Sequence, residues 1–142
     1  MPRAPKLPVL LVVDDSPDDL VLFKEVLGKA HVNNPVVTAE SGAQAIAYLR
    51  KSCLAGGSPR GCKPAVIFLD LNMPLMDGFK VLRWIHQKKT FSKSKVIVLT
   101  SSNNPKDLQR ATELGADGYL LKHPTPDTVA FIIRNATAGF LR

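Results

Sequence analysis

The sequence contains few cysteines and no long apolar run, and each shortage excludes a class of protein. Its two cysteines, Cys53 and Cys62, have no histidine or acidic cluster nearby and cannot complete a tetrahedral metal site, so free thiols are expected. No apolar run approaches the roughly 18 residues that a membrane-spanning helix needs, and residues 1–8 alternate proline with basic residues instead of forming a signal peptide. We therefore expect a cytoplasmic protein without membrane contact, in which residues 1–8 form a flexible N-terminal segment.

Aromatic and acidic residues are also scarce. The 19 lysines and arginines outnumber the 12 aspartates and glutamates, which gives a formal net charge of +7, while aromatic residues make up only 6%. Such a charge would suit nucleic acid or an acidic protein surface. Much of it, however, brackets two loops, near residues 50–63 and 88–95, without the interleaved aromatics that single-strand binders use. We interpret these basic residues as a solvated face and expect no direct binding of nucleic acid.

Short, largely apolar runs alternate with helically spaced apolar residues along the chain. The runs fall at residues 9–13, 36–39, 66–69, 96–99 and 119–121. Those at 9–13 and 66–69 are continuously apolar, which is typical of strands buried on both faces. A helical pattern follows each run, and the first begins with a cap at Ser16 and a proline at Pro17. Strict alternation forms βαβ units with right-handed crossovers. The sequence thus predicts one α/β domain over residues 9–142, a five-stranded doubly wound parallel sheet with helices on both faces.

Two further segments have distinct patterns. Glycines and prolines make residues 54–64 a loop that is longer than usual and could carry a contact surface. The helix over residues 43–49 is predicted to bury its apolar residues, which are Ala43, Ile46, Ala47 and Leu49.

Polar residues follow the carboxyl ends of four predicted strands. Asp14 and Asp15 follow the first strand, Asp70 the third, Thr100 the fourth and Lys122 the fifth. In an open parallel sheet the carboxyl ends of the strands form one edge, where ligands bind. Three carboxylates that meet there repel one another unless a hard cation neutralises them, and carboxylate oxygens with water suit Mg²⁺ best. A carboxylate beside Mg²⁺ can attack phosphorus and form an acyl phosphate, with the lysine and the threonine contacting the phosphoryl oxygens.

Five fragments in fixed order give the sequence a resemblance to a known family. They are Val-Asp-Asp-Ser at 13–16, Leu-Asp-Leu-Asn-Met-Pro at 69–74, Asp-Gly at 77–78, Leu-Thr-Ser at 99–101 and Gly-Ala-Asp-Gly-Tyr-Leu-Leu-Lys at 115–122. Over nearly its whole length the chain resembles the receiver domain of bacterial two-component response regulators, which implies a flavodoxin-like, receiver-type fold. It is also similar to the stand-alone regulators that serve phytochrome-type sensor kinases.

The resemblance implies a signalling switch built on four side chains. Asp70 would be the phosphoacceptor and would receive a phosphoryl group from a sensor histidine kinase, for which the phytochrome type is the candidate. Thr100 and Lys122 would bind that group. Thr100 would then move toward the phosphoryl group while Tyr119 turns inward, and the reshaped surface would signal to a downstream protein partner. The family also allows a homodimer.

The resemblance further implies a cofactor and a limit on the chemistry. Mg²⁺ would be held by the carboxylates of Asp14, Asp15 and Asp70 and by the backbone carbonyl of Asn72. The chain would not be an enzyme in the usual sense, since its only reactions would be its own phosphorylation and dephosphorylation.

The sequence departs from the family directly after the strand-end lysine, where His123 replaces the usual proline. Because a cis bond before a residue other than proline costs about 3 kcal/mol, the bond between Lys122 and His123 is expected to be trans. His123 has no acidic partner in the sequence and is expected to be solvated. Tyr119 is expected to lie opposite Thr100, and it could equally be an ordinary packing residue.

Three other functions remain open at this stage. A Mg²⁺ phosphohydrolase with an aspartyl nucleophile would want a second acid where Asn72 stands. A flavin or nucleotide binder would want a loop rich in glycine, serine or threonine after the first strand, where Asp14 and Asp15 lie instead. The third alternative keeps the fold without phosphorylation, as a constitutive scaffold for binding proteins.

Overall fold

The computed structural model describes residues 7–51, 63–73, 78–101 and 104–140, without the side chains of 138–140. Strands and helices alternate as β1 (Leu10–Val13), α1 (Pro17–Lys29), β2 (Val36–Ala39), α2 (Gly42–Leu49), β3 (Val66–Asp70), α3 (Gly78–His86), β4 (Lys95–Thr100), α4 (Pro105–Glu113), β5 (Gly118–Leu121) and α5 (Pro126–Phe140). A short 3₁₀ helix at Lys89–Phe91 precedes β4. Most of the predicted loop at 54–64, both cysteines and most of the N-terminal segment lie outside the described residues.

All five strands form one parallel sheet in the order β2-β1-β3-β4-β5. The chain runs from β1 to one side for β2 and then to the other side for β3, β4 and β5, so the order reverses between β1 and β3. Ligands bind at this reversal in open parallel sheets, because the loops that leave the two strands diverge there. The predicted fold class is therefore confirmed, and its crevice lies between the ends of β1 and β3.

Apolar residues on alternate positions of the strands build two cores. One face of the sheet packs against α2, α3 and α4 around Leu69, Leu82 and Val98. The other face packs against α1 and α5 around Phe68, Phe23 and other buried residues. The most buried strands, β1 and β3, have no exposed residue, which is the reason that their sequences read as continuous apolar runs.

The first helix begins as its sequence predicts. The Ser16 side chain accepts a hydrogen bond from the backbone N–H of Asp19 at 3.2 Å, and Pro17 occupies the first turn, where its missing N–H removes no helical hydrogen bond. Ser41 caps α2 in the same manner by accepting from the N–H of Gln44 at 3.1 Å.

The predicted buried face of α2 is partly wrong. Ala43 and Ala47 are exposed, whereas Ala45 and Leu49 are buried and Ile46 is half-buried. The helix begins at Gly42, one residue before the predicted start. Alanines are apolar all around this helix, so their pattern alone did not fix which side meets the sheet.

Within the described part of the chain, no helix combines the length and apolar character required to cross a membrane.

Candidate phosphorylation and metal site

The parallel sheet brings three strand-end residues into contact. The Lys122 Nζ lies 3.3 Å from Asp14 Oδ2 and 3.3 Å from Asp70 Oδ2, although Lys122 follows Asp70 by 52 residues. The backbone sets this placement, because the Lys122 N–H donates to the Thr100 carbonyl at 2.9 Å and so continues the pairing of β5 with β4. The predicted meeting of acid and amine at one edge is therefore observed.

Asp70 is a fully buried carboxyl group at the end of β3. Its Oδ1 accepts a hydrogen bond from the Asn72 N–H at 3.1 Å, and its Oδ2 accepts from the Lys122 amine. Burial raises the pKa of Asp70 to about 6, because desolvation and the neighbouring Asp14 charge outweigh the Asn72 hydrogen bond and the Lys122 charge. The ionised carboxylate is thus held in a site that does not fully compensate it.

Lys122 is the one ammonium in this group of acids among the described residues. Burial lowers the pKa of the amine, but the charges of Asp70 and Asp14 and a hydrogen bond to Asp19 raise it by more. The pKa of Lys122 is therefore well above the usual range for lysine. The amine stays protonated at any physiological pH. The pKa values of Asp70 and Lys122 are both raised, and neighbouring carboxylate charges contribute to both shifts.

The acids form a set of oxygen donors that fits a divalent cation. One carboxylate oxygen from each of Asp14, Asp15 and Asp70 lies within 4.8 Å of the others. Opposite ligands of an octahedral Mg²⁺ ion are about 4.2 Å apart, since each bond is about 2.1 Å, so small side-chain movements would suffice. Asp14 is held by the Ser16 N–H, which donates to its Oδ1 at 3.0 Å, while Asp15 is exposed and free to meet an ion from the solvent side.

A close approach of α3 fixes the backbone of Asp70. The Gly78 N–H donates to the Leu71 carbonyl at 3.1 Å. A Cβ on Gly78 would lie 2.3 Å from the Asp70 carbonyl oxygen and 2.6 Å from the Leu71 Cα, distances that real Cβ atoms do not show. Only glycine lets the helix start so near the end of β3.

Thr100 and Asn72 flank the carboxyl group. Thr100 ends β4 and is buried, and its neighbour Leu99 pairs with Asp70 across the two strands. Asn72 follows Asp70 by two residues, and its side chain is exposed at the rim. The role of its backbone carbonyl in holding a metal stays a prediction.

Tyr119 lies on β5 with 55% of its surface exposed. The expected pairing with Thr100 is wrong, because the register sets Tyr119 beside Val98 and Thr100 beside Leu121. Paired residues alternate between the two faces of a sheet, so Tyr119 and Thr100 still occupy the same face, two residues apart. The sequence could not predict this register. If the short, largely apolar strand β5 were shifted by one residue along β4, its side-chain pattern would be equally plausible.

One acid of the site was not predicted. Asp19, in the first turn of α1, has its Oδ2 3.1 Å from the Lys122 Nζ, the shortest of the three carboxylate distances to that amine. An acid there is common in any helix, because negative charge near a helix N-terminus is favourable. Its spacing of one helical turn after Asp15 was the only signal that could have pointed to the crevice.

His123 differs from expectation in one respect. Its side chain is 60% exposed, as predicted, but its Nε2 lies 3.8 Å from Asp19 Oδ1, so an acid is near it in space. The bond between Lys122 and His123 is trans, and the φ angle of His123 is +62°. Proline, whose ring fixes φ near −65°, could not adopt this conformation. The residue after Lys122 therefore has a backbone conformation that the expected proline would not allow.

A family model described as the response regulator receiver domain matches residues 10–134. Among curated proteins, the response regulator Rcp1 of Synechocystis is 37% identical over 114 residues, which cover 80% of this chain and 76% of Rcp1.

Solved structures agree with these sequence matches. The bacteriophytochrome response regulator AtBRR superposes with a TM-score of 0.76 at 32% identity, covering 93% of this chain and 95% of AtBRR. The phosphorylated cyanobacterial phytochrome response regulator RcpA gives a TM-score of 0.72 at 32% identity, with coverage of 90% and 89%. The Mn²⁺-bound form of Rcp1 gives 0.70 at 33% identity, with coverage of 97% and 96%.

Proposed function

This chain belongs to the response regulator receiver family, and we propose that Asp70 accepts a phosphoryl group from a sensor histidine kinase. The observation that carries the proposal is the buried carboxyl group of Asp70, which lies 3.3 Å from the Lys122 amine and within 4.8 Å of two further carboxylates. A cavity of about 170 Å³ lies between α1 and the loop after Lys122, with Asp14, Asp19 and Lys122 in its lining. A phosphoryl donor could approach from this side.

The proposed reaction is a transfer from nitrogen to oxygen. An Asp70 oxygen forms a bond to phosphorus while the bond between phosphorus and the donor imidazole nitrogen breaks, and that nitrogen keeps the electron pair and takes up a proton. The Lys122 ammonium would contact an oxygen of the transferred group, and the Thr100 hydroxyl would hydrogen-bond another. Hydrolysis of the acyl phosphate by water would return Asp70 to its carboxylate. We propose no reaction beyond these two.

Asp14, Asp15, Asp70 and the backbone carbonyl of Asn72 would hold the Mg²⁺ ion. When bound, the ion supplies positive charge for the phosphoryl oxygens and for the crowded carboxylates. The fit rests on charge. Among the described residues, Asp14, Asp19 and Asp70 share one ammonium, the Asp15 carboxylate lies beside two of them, and oxygen donors are what Mg²⁺ prefers.

The output is proposed to be a change of shape at Thr100 and Tyr119. Thr100 would follow the phosphoryl group, and the exposed Tyr119 ring would turn toward the space that Thr100 leaves on the same face of the sheet. The surface around β5 would then present a different shape to a protein partner or to a second copy of the chain. Because relatives are described as phytochrome response regulators, a phytochrome-type kinase is the proposed donor, acting in the cytoplasm.

Intact mass spectrometry after treatment with acetyl phosphate tests the proposal. The wild type with Mg²⁺ should gain one phosphoryl group, and chelation of the metal should abolish the gain. Asp70→Asn should gain none, whereas Asp127→Asn, an equal charge change at an exposed position in the first turn of α5, should behave as the wild type. Labelling of Asp70→Asn at the wild-type level would contradict the assignment. Steady release of phosphate from a phosphomonoester over many turnovers would identify a phosphohydrolase instead.

A further inference from the structure

Asp19 makes the shortest carboxylate contact to the Lys122 amine, although it is outside the group of acids that could hold a cation. Its Oδ2 accepts from the Lys122 Nζ at 3.1 Å, while Asp14 and Asp70 each lie at 3.3 Å. The carboxylates whose oxygens cluster are those of Asp14, Asp15 and Asp70. Asp19 is thus bound to the amine without being committed to the proposed metal.

The position of Asp19 is fixed relative to the phosphoacceptor. Its own N–H donates to the Ser16 cap, which sets the start of α1. One turn further along, the Phe23 ring packs against Phe68 with 4.8 Å between the ring centroids. Phe68 lies on β3, two residues before Asp70. The helix that carries Asp19 and the strand that carries Asp70 are therefore joined through a buried contact.

The other two partners of the amine have competing duties in the proposed function. Asp70 gives one oxygen to phosphorus, and Asp14 faces the cation, so both lose capacity to hold Lys122 when the site is loaded. Asp19 alone keeps a carboxylate oxygen for it. Its second oxygen faces His123, at 3.8 Å from Nε2, so each oxygen of the carboxylate faces a different side chain of the loop after β5.

We infer that Asp19 is a positioning residue that holds the Lys122 amine at the phosphorylation site while Asp14 and Asp70 are engaged elsewhere. This inference rests on the proposed function, in which Lys122 contacts the phosphoryl group. An amine without this anchor would sample more conformations and meet the phosphoryl oxygens less often.

A purely structural role for Asp19 is the competing explanation, because an acid in the first turn stabilises any helix. Asp18 separates the two roles. It stands one residue earlier in the same turn, carries the same charge, and is exposed without an ion pair to another described residue. Asp18→Asn therefore reproduces the loss of charge at the helix N-terminus and leaves the contact to Lys122 intact.

The experiment compares the wild type with Asp18→Asn, Asp19→Asn and Asp19→Glu by two measurements. The first is nuclear magnetic resonance of the Lys122 ammonium in the metal-free protein, which reports how strongly its motion is restricted. The second is the rate of phosphorylation by acetyl phosphate with saturating Mg²⁺. We expect Asp19→Asn to loosen the ammonium and to slow phosphorylation about tenfold, as befits loss of one charge-assisted hydrogen bond. Asp18→Asn should change neither, and Asp19→Glu should recover part of the rate.

The two measurements also separate this inference from the proposed function. If Asp19→Asn and Asp18→Asn have the same ammonium mobility and the same rate, Asp19 does not position Lys122 and the inference is overturned. If the wild type is not phosphorylated while Asp19→Asn alone loosens the ammonium, the hold on Lys122 is supported and the proposed function fails.

Discussion

The buried charge of Asp70 makes a strong prediction about stability: Asp70→Asn should be more stable than the wild type when no metal is present. The pKa of Asp70 in the folded protein is about 6, against an ordinary value of 3.8. Each pKa unit corresponds to about 1.4 kcal/mol, so the ionised carboxylate costs the folded state roughly 3 kcal/mol. Asparagine has nearly the same shape and does not ionise. Its one amide oxygen can accept from the Asn72 N–H, whereas its NH₂ group cannot accept from Lys122, whose amine keeps its contacts to Asp14 and Asp19.

The sign of the pH dependence follows from the same shift. The folded state holds the Asp70 proton to a higher pH than the unfolded state, so wild-type stability falls as the pH rises from about 4 to about 6. The cost is absent below about pH 4 and complete above the folded pKa. The advantage of Asp70→Asn should therefore be near zero at about pH 4 and reach roughly 3 kcal/mol at about pH 7.5.

Urea unfolding in the presence of a chelator, repeated across this pH range, measures the effect. Asp15→Asn is the matched control, since Asp15 belongs to the same cluster but is exposed, and its replacement should change the free energy of unfolding by less than about 0.5 kcal/mol. Saturating Mg²⁺ should stabilise the wild type and reduce the difference, because a ligand that binds the folded state stabilises it. If metal-free Asp70→Asn is no more stable than the wild type at about pH 7.5, burial does not dominate the energetics of Asp70.

Two further substitutions test the geometry of the site. Gly78→Ala should lower the free energy of unfolding in urea by about 1–3 kcal/mol, because the added methyl group would meet backbone atoms of Asp70 and Leu71. Gly28→Ala is its control, since a Cβ there meets nothing within 4 Å and alanine favours a helix; an equal loss in both variants would contradict the close-approach argument. Lys122→Gln should bind Mg²⁺ at least about tenfold more tightly in calorimetry, because the ammonium repels the ion and occupies its carboxylates. Unchanged or weaker binding would show that the amine does not compete with the metal.

The arrangement of charges at the site is unfavourable for stability. Among the described residues, four carboxylates lie near one ammonium at this edge, which would be a poor arrangement for a purely structural group, since burying unpaired charge is costly. The same excess of negative charge suits a divalent cation and keeps the Lys122 amine protonated, as the proposed function requires.

Much of the fold followed from local features of the chain. The buried strands are recognisable as short apolar runs. The caps at Ser16 and Ser41 mark the starts of α1 and α2 through hydrogen bonds that span only three residues. Alternation of strands and helices then implies a parallel sheet, whose carboxyl ends must share one edge. Because of that rule, the sequence alone predicts that Asp14, Asp70 and Lys122 lie at the same edge of the sheet.

The sequence by itself therefore determined the elements, the fold class and the edge at which the acids meet. Only the tertiary structure decided the register that pairs Tyr119 with Val98, the side of α2 that is buried, and the contact of Asp19 with Lys122. These features depend on how one element slides or rotates against another by a few ångströms, and that choice is made by the packing of the whole core rather than by any local pattern. Local patterns set which segments are strands and helices, whereas the sum of many distant contacts sets their exact alignment.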